Sequence, residues 1–179
     1  TCPRPLAEQI ERLAKLTELR PQAVILRAKS LDKAAYRKLA LQAQQSCEAA
    51  GIPLILHSDW QLAHELGISK LHLPLALLRQ LPTYERAHFT WLSTSVHSVD
   101  EAIEAQALGA TVLIAGHIYT TQCKAGLAPR GLGFLQAVCS AVSLPVYAIG
   151  GIGFDAVQHA ELQANGACGA CVMSAYMKL

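Results

Sequence analysis

No apolar run in this sequence approaches the roughly 18–20 residues that a membrane-spanning helix requires, although 52% of its residues are hydrophobic. The opening TCPRPLAEQIERLAK lacks the apolar stretch of a secretory signal. An excess of one charge is missing too, since 15 Lys and Arg stand against 13 Asp and Glu. That balance offers no basic field for nucleic acid and no acidic tail. No His-Glu-x-x-His pattern supplies a zinc site on a helix. No Gly-x-Gly-x-x-Gly follows a first strand, which argues against a dinucleotide-binding sheet. These absences predict a cytoplasmic protein that engages neither nucleic acid nor membrane.

A disulfide framework is also missing. Cysteines occur at Cys2, Cys47, Cys123, Cys139, Cys168 and Cys171, a scatter that suits reduced thiols. Cys168 and Cys171, in CGAC, look like a metal or redox pair. They fall in an apolar, strand-like segment whose alternation would put them on opposite faces. Core cysteines are the expectation there.

What the sequence does contain is a repeated phrase: an amphipathic helix, a glycine, then a short apolar strand. It recurs as CEAAGIPLIL, AHELGISKLHL, EAQALGATVLIAG and LQANGACGACVM. Gly51, Gly67, Gly109 and Gly166 fall where a helix end takes a left-handed residue. Strands are expected near residues 22–28, 53–57, 70–73, 88–94, 110–116, 144–149 and 167–172. Most are continuous apolar runs, as parallel strands covered by helices require. In HSVDEAIEAQALG, Ser98 and Glu101 form a capping-box pattern, and Gly109 marks the stop. Alternating units of this kind suit an eight-stranded (β/α) barrel, here one domain over residues 1–179. One strand is then expected before Thr1, and the closing helix has barely begun at Leu179.

Barrel sites lie at the C-terminal ends of strands, with phosphate often held by the last two loops. Those ends read AIGGIGFDAV and VMSAYM. Gly150, Gly151 and Gly153 would admit a ligand to the backbone and leave amides free, and Ser174 and Ala175 would do the same one unit later. Arg27 and Lys29, two apart after a strand, would point to one side and suit an anion. Lys124, in the long loop after the fifth strand, would overhang the same mouth. His117 ends that strand and begins the loop, where a neutral imidazole can remove and return a proton. His57, His72 and His97 end strands and are candidates to line the mouth. His64 and His159 lie within helices, and His88 begins a strand.

Five stretches carry a family resemblance: ILRAKS, STSVHSVDEAIEAQALGA, GHIYTTQCKAGLAPRG, PVYAIGGIG and GACVMSAYM. Together they resemble the thiamine phosphate synthase superfamily, and within it the TenI branch of thiazole tautomerases. The resemblance implies a (β/α)₈ barrel and a metal-independent isomerase that aromatises a carboxythiazole phosphate. It gives the proton-transferring role to His117 and phosphate binding to Gly150, Gly151, Met173 and Ser174. Substrate contacts fall to Arg27, Lys29, His57, Ser95 and Lys124. Its ligand is a small thiazole phosphate; no cofactor or metal is implied, and a homodimer is allowed, since dimers are common in the family. The family glutamate between the basic residues is Ala28 here.

Two alternatives stand beside it. Thiamine phosphate synthases join a pyrimidine diphosphate to a thiazole phosphate and use Mg²⁺. Where they carry a metal aspartate this sequence has His57 and Ser58, with Asp59 displaced by one. Near their second aspartate it has Pro74, Leu75 and Leu77, and their loop proline is His117. A non-catalytic thiazole- or phosphate-binding regulator is the other alternative.

Overall fold

The computed structural model describes residues 8, 12, 15 and 17–176. Cys2, the strand expected before Thr1 and the closing helix at Leu179 lie outside the described residues. Among the described residues seven strands alternate with helices, and the chain divides into two compact units, one up to His72 and one from Leu73 onward.

In the first unit, β1 (Val24–Leu26) runs parallel to β2 (Leu54–His57), with Ile25 opposite Ile55. Strand β2 runs parallel to the start of β3 (Lys70–Pro74), which sets His57 opposite His72. Between β1 and β2 lies α1 (Lys33–Ala50), started by Asp32, whose carboxylate accepts the Ala35 amide at 2.8 Å. Its buried stripe of Tyr36, Leu39, Ala40, Ala43 and Cys47 follows helical spacing. Gly51 ends it at φ 69°, with the Ile52 amide donating to Cys47 O at 2.8 Å. Asp59 starts the short α2 (Trp60–Glu65) in the same way.

In the second unit, β4 (Trp91–Val96), β5 (Val112–Gly116), β6 (Val146–Ile149) and β7 (Gly169–Cys171) pair in parallel and in chain order. Two short helices, α3 (Leu75–Gln80) and α4 (Thr83–Arg86), precede β4. The connections are α5 (Val99–Ala107), α6 (Gly131–Ala141) and α7 (Ala156–Ala164). Leu92, Leu113, Leu135, Val138 and Leu162 are inaccessible to solvent and form the centre of this unit's core. The four expected helix-ending glycines all have positive φ.

Four expectations need correction. The strand expected from residue 88 begins at Trp91, because the His88 and Phe89 amides donate to Glu85 O and Arg86 O in a turn that closes α4. His88 therefore begins no strand. The capping box is displaced: Ser98 accepts the Glu101 amide, but the Glu101 carboxylate reaches past Ser98 to the His97 amide at 2.6 Å. Cys168 is exposed just before β7 and is no core residue. Burial does push the Cys171 thiol up, to about 12. His72 does not end its strand; it is the third residue of β3 and is buried.

Candidate functional site

Two groups of candidate residues emerge, one in each unit. In the first, the chain leaves β1 at Leu26, and Arg27 and Lys29 follow in the connection to α1. Both line a recess of about 180 Å³ together with Asp32, Lys33, Tyr36, His57, Ser58 and Asp59. Tyr36 holds the two strand ends together: its hydroxyl donates to Leu26 O at 2.9 Å and accepts from the His57 amide at 3.3 Å. Burial raises the Tyr36 phenol to about 12, and the Asp59 charge adds to the effect.

Ser58 turns the chain out of β2 at φ 71°, in the left-handed region that a non-glycine residue enters at a cost. Its amide donates to His72 O at 2.9 Å, and its hydroxyl lies 2.6 Å from His57 Nδ1. The rings of His57 and His72 are 5.1 Å apart. Burial lowers His57 to about 4, and the charges of Arg27 and Lys29 push the same way. Burial lowers His72 to about 3, with further contributions from His57 and Arg27. Both imidazoles are therefore neutral at neutral pH. Arg27, Lys29 and Lys33 outnumber the carboxylates of Asp32 and Asp59 there, so the recess carries a small positive excess that suits an anion.

The magnesium of the synthase alternative finds a poor set of ligands. Asp59, the carboxylate next to the expected position, accepts the Leu62 amide at 2.9 Å as the cap of α2. Leu75 and Leu77, in α3, offer a hard dication no side-chain oxygen. The residues at these positions do not fit the ion.

In the second unit the ends of β5, β6 and β7 meet. His117 follows β5 and is 8% exposed, and its Nε2 is buried without a hydrogen-bond partner. A group so placed carries the full cost of desolvation until something pairs with it. The next residues run along the end of β6, with the Ile118 amide on Ile149 O and the Tyr119 amide on Gly150 O, both at 2.9 Å. Gly150 and Gly151 have φ of 103° and 72°. A Cβ on Gly151 would lie 2.6 Å from Thr120 O. These glycines make room for the chain at His117–Thr120. Gly153 also departs from expectation, because its amide donates to Gln158 Oε1 at 2.9 Å and is not free.

The long loop contains one 3₁₀ turn, Gln122–Lys124, capped by Thr121. Its base is pinned by the Arg130 amide on His117 O at 3.0 Å and the Gly131 amide on Ile118 O at 3.1 Å. Cys123 Sγ lies 3.6 Å from Ser174 Oγ, which ties the loop to the residues after β7. Lys124 is exposed, whereas Met173 and Ser174 are half-buried. Ser95 lies in β4 opposite Ile114, and His97, which follows β4, is 3.2 Å from the Glu101 carboxylate. Sequence reasoning missed Lys33, Tyr36 and Asp32; the signal was the helix start LDKAAY directly after the basic pair.

The chain belongs to the thiamine monophosphate synthase family, whose family model matches residues 1–176. It is 30% identical over 174 residues to a thiamine-phosphate synthase of Lacticaseibacillus paracasei, covering 94% of this chain and 79% of that one. It is 38% identical over 154 residues to a thiamine-phosphate synthase of Listeria monocytogenes, covering 83% of this chain and 71% of the other. Among solved structures it is similar to a thiamine phosphate pyrophosphorylase from Pyrococcus furiosus. That match has a TM-score of 0.80 at 23% identity and covers 95% of this chain and 81% of the other. The structural likeness supports the α/β fold, with its parallel strands alternating with helices. The relatives overturn the expectation of a thiazole tautomerase: they are named as synthases, which are transferases and not isomerases. That expectation had rested on three departures from the synthase pattern: His57 and Ser58 at one metal position, Leu75 and Leu77 near the other, and His117 for the loop proline.

Proposed function

We propose that this chain makes thiamine phosphate by joining a pyrimidine diphosphate to a thiazole phosphate. The observation that carries this reading is the 30–38% identity to thiamine-phosphate synthases, extending over 71–79% of their length. In the reaction, a thiazole ring nitrogen bonds to the carbon that bears the diphosphate. The carbon–oxygen bond breaks, and diphosphate leaves with its electron pair.

Arg27, Lys29 and His57 serve the diphosphate end, where two cations and a neutral imidazole line the recess. Gly150, Gly151, Met173 and Ser174 serve the thiazole phosphate. His117 lends its unpaired Nε2 to the bound ligand, and Ser95 and Lys124 make further substrate contacts. The reading takes as its frame a cytoplasmic single domain closed as an eight-stranded barrel. Among the described residues no helix is long and apolar enough to cross a membrane.

The test is incubation of purified protein with both precursors, with and without Mg²⁺, followed by chromatographic detection of thiamine phosphate. Product formed in step with diphosphate release is the expected result. Binding of the thiazole phosphate with no product under either condition would instead make this chain a binding protein.

A further inference from the structure

Lys33 occupies the first position of α1, where a cation opposes the helix dipole and the local preference is for an acid. A residue that breaks a local rule points to a use elsewhere. Lys33 lines the same recess as Arg27 and Lys29, so three cations converge there from the connection after β1 and from the helix start. Two carboxylates also line it, and each caps a helix: Asp32 accepts the Ala35 amide at 2.8 Å and Asp59 the Leu62 amide at 2.9 Å. Three positive charges against two negative leave these lining residues at +1. A divalent cation entering that recess meets net repulsion, whereas a multiply charged anion meets attraction.

We infer that Arg27, Lys29 and Lys33 hold the diphosphate group directly, with no divalent metal ion between anion and protein. This inference rests on the synthase reading and deepens it. His57 and Ser58 add polarity at the recess wall, their Nδ1 and Oγ paired at 2.6 Å.

The experiment titrates sodium diphosphate into the full chain by calorimetry, once in excess EDTA and once in excess MgCl₂. Binding in EDTA, weakened by added Mg²⁺ because the ion neutralises the ligand, is the expected result. Lys33→Ala should weaken metal-free binding by about tenfold, in line with the loss of one charge-assisted contact. That variant should keep or raise the melting temperature, since it removes a cation from a helix start. Diphosphate binding that requires Mg²⁺ would overturn the inference, and so would a folded Lys33→Ala protein with unchanged affinity. Thiamine phosphate formation is scored separately. Product formed only with Mg²⁺ rejects the inference but keeps the synthase reading. Metal-free diphosphate binding with no product under either condition rejects the synthase reading but leaves the anion site standing.

Discussion

A Cβ placed on Gly150 would collide with the Cβ of His117 and lie 2.7 Å from its Cα. The first residue after β6 and the first after β5 are thus in backbone contact, and the side chain at one is limited by the other. Gly150→Ala meets both this clash and the positive φ of 103°. We expect a loss of about 2–4 kcal/mol, from strain added to overpacking. Gly133→Ala, in α6 with open space around its Cβ, should instead stabilise by about 0.5–1 kcal/mol. Urea denaturation of the two variants checks both signs.

His117→Leu separates stability from activity. Removing a buried imidazole whose Nε2 has no partner should leave stability unchanged or raise it, because an unpaired buried polar group costs about 1–3 kcal/mol. Thiamine phosphate formation should fall at least tenfold, with the folded protein intact by circular dichroism. A variant that loses stability while its activity per folded molecule is unchanged would show that His117 is only a packing residue.

Acidification should weaken the fold through His57 and His72. An unfolded histidine takes up its proton near pH 6.5, whereas these two do so only at about 4 and about 3 in the folded protein. Between those limits the unfolded chain binds more protons, so stability rises with pH and is lost as pH falls below about 6.5. Each histidine contributes a slope of up to about 1.4 kcal/mol per pH unit. Urea midpoints between pH 5 and 6.5 should show this slope, and His72→Gln should reduce it. An equal slope in that variant would assign the pH dependence to other groups.

Tyr36→Phe should cost about 1–3 kcal/mol, since it leaves Leu26 O and the His57 amide without their shared hydroxyl. The same variant loosens the strand ends that carry Arg27 and His57. Diphosphate affinity should therefore fall along with the melting temperature, and calorimetry on the folded variant reads the two effects separately.

Much of the fold was legible in the sequence because short-range rules governed it. Apolar runs located the seven strands of the described residues, and glycines with positive φ closed the helices at Gly51, Gly67, Gly109 and Gly166. The misplaced strand start at residue 88 had a local cause. Phe89 is as buried as a strand residue, 5% exposed, but its amide belongs to the turn after Arg86. Apolar patterning reports burial and cannot distinguish the two conformations.

The site was legible only in part. Arg27, Lys29 and His57 stood out by type and position, and they do share a recess. Lys33 did not, because a lysine at a helix start usually belongs to a solvated surface. The double glycine stood out as a turn, but its close packing against the chain at His117–Thr120 was not visible in the spacing.

The sequence by itself determined the alternation of strands and helices, since hydrophobic period and helix-ending glycines act over a few residues. It also placed the chain in its family. Only the tertiary structure decided that Lys33 joins Arg27 and Lys29 and that His117 Nε2 is buried without a partner. Hydrogen-bond partners and local charge depend on which segments the fold brings together, and no spacing along the chain encodes that directly.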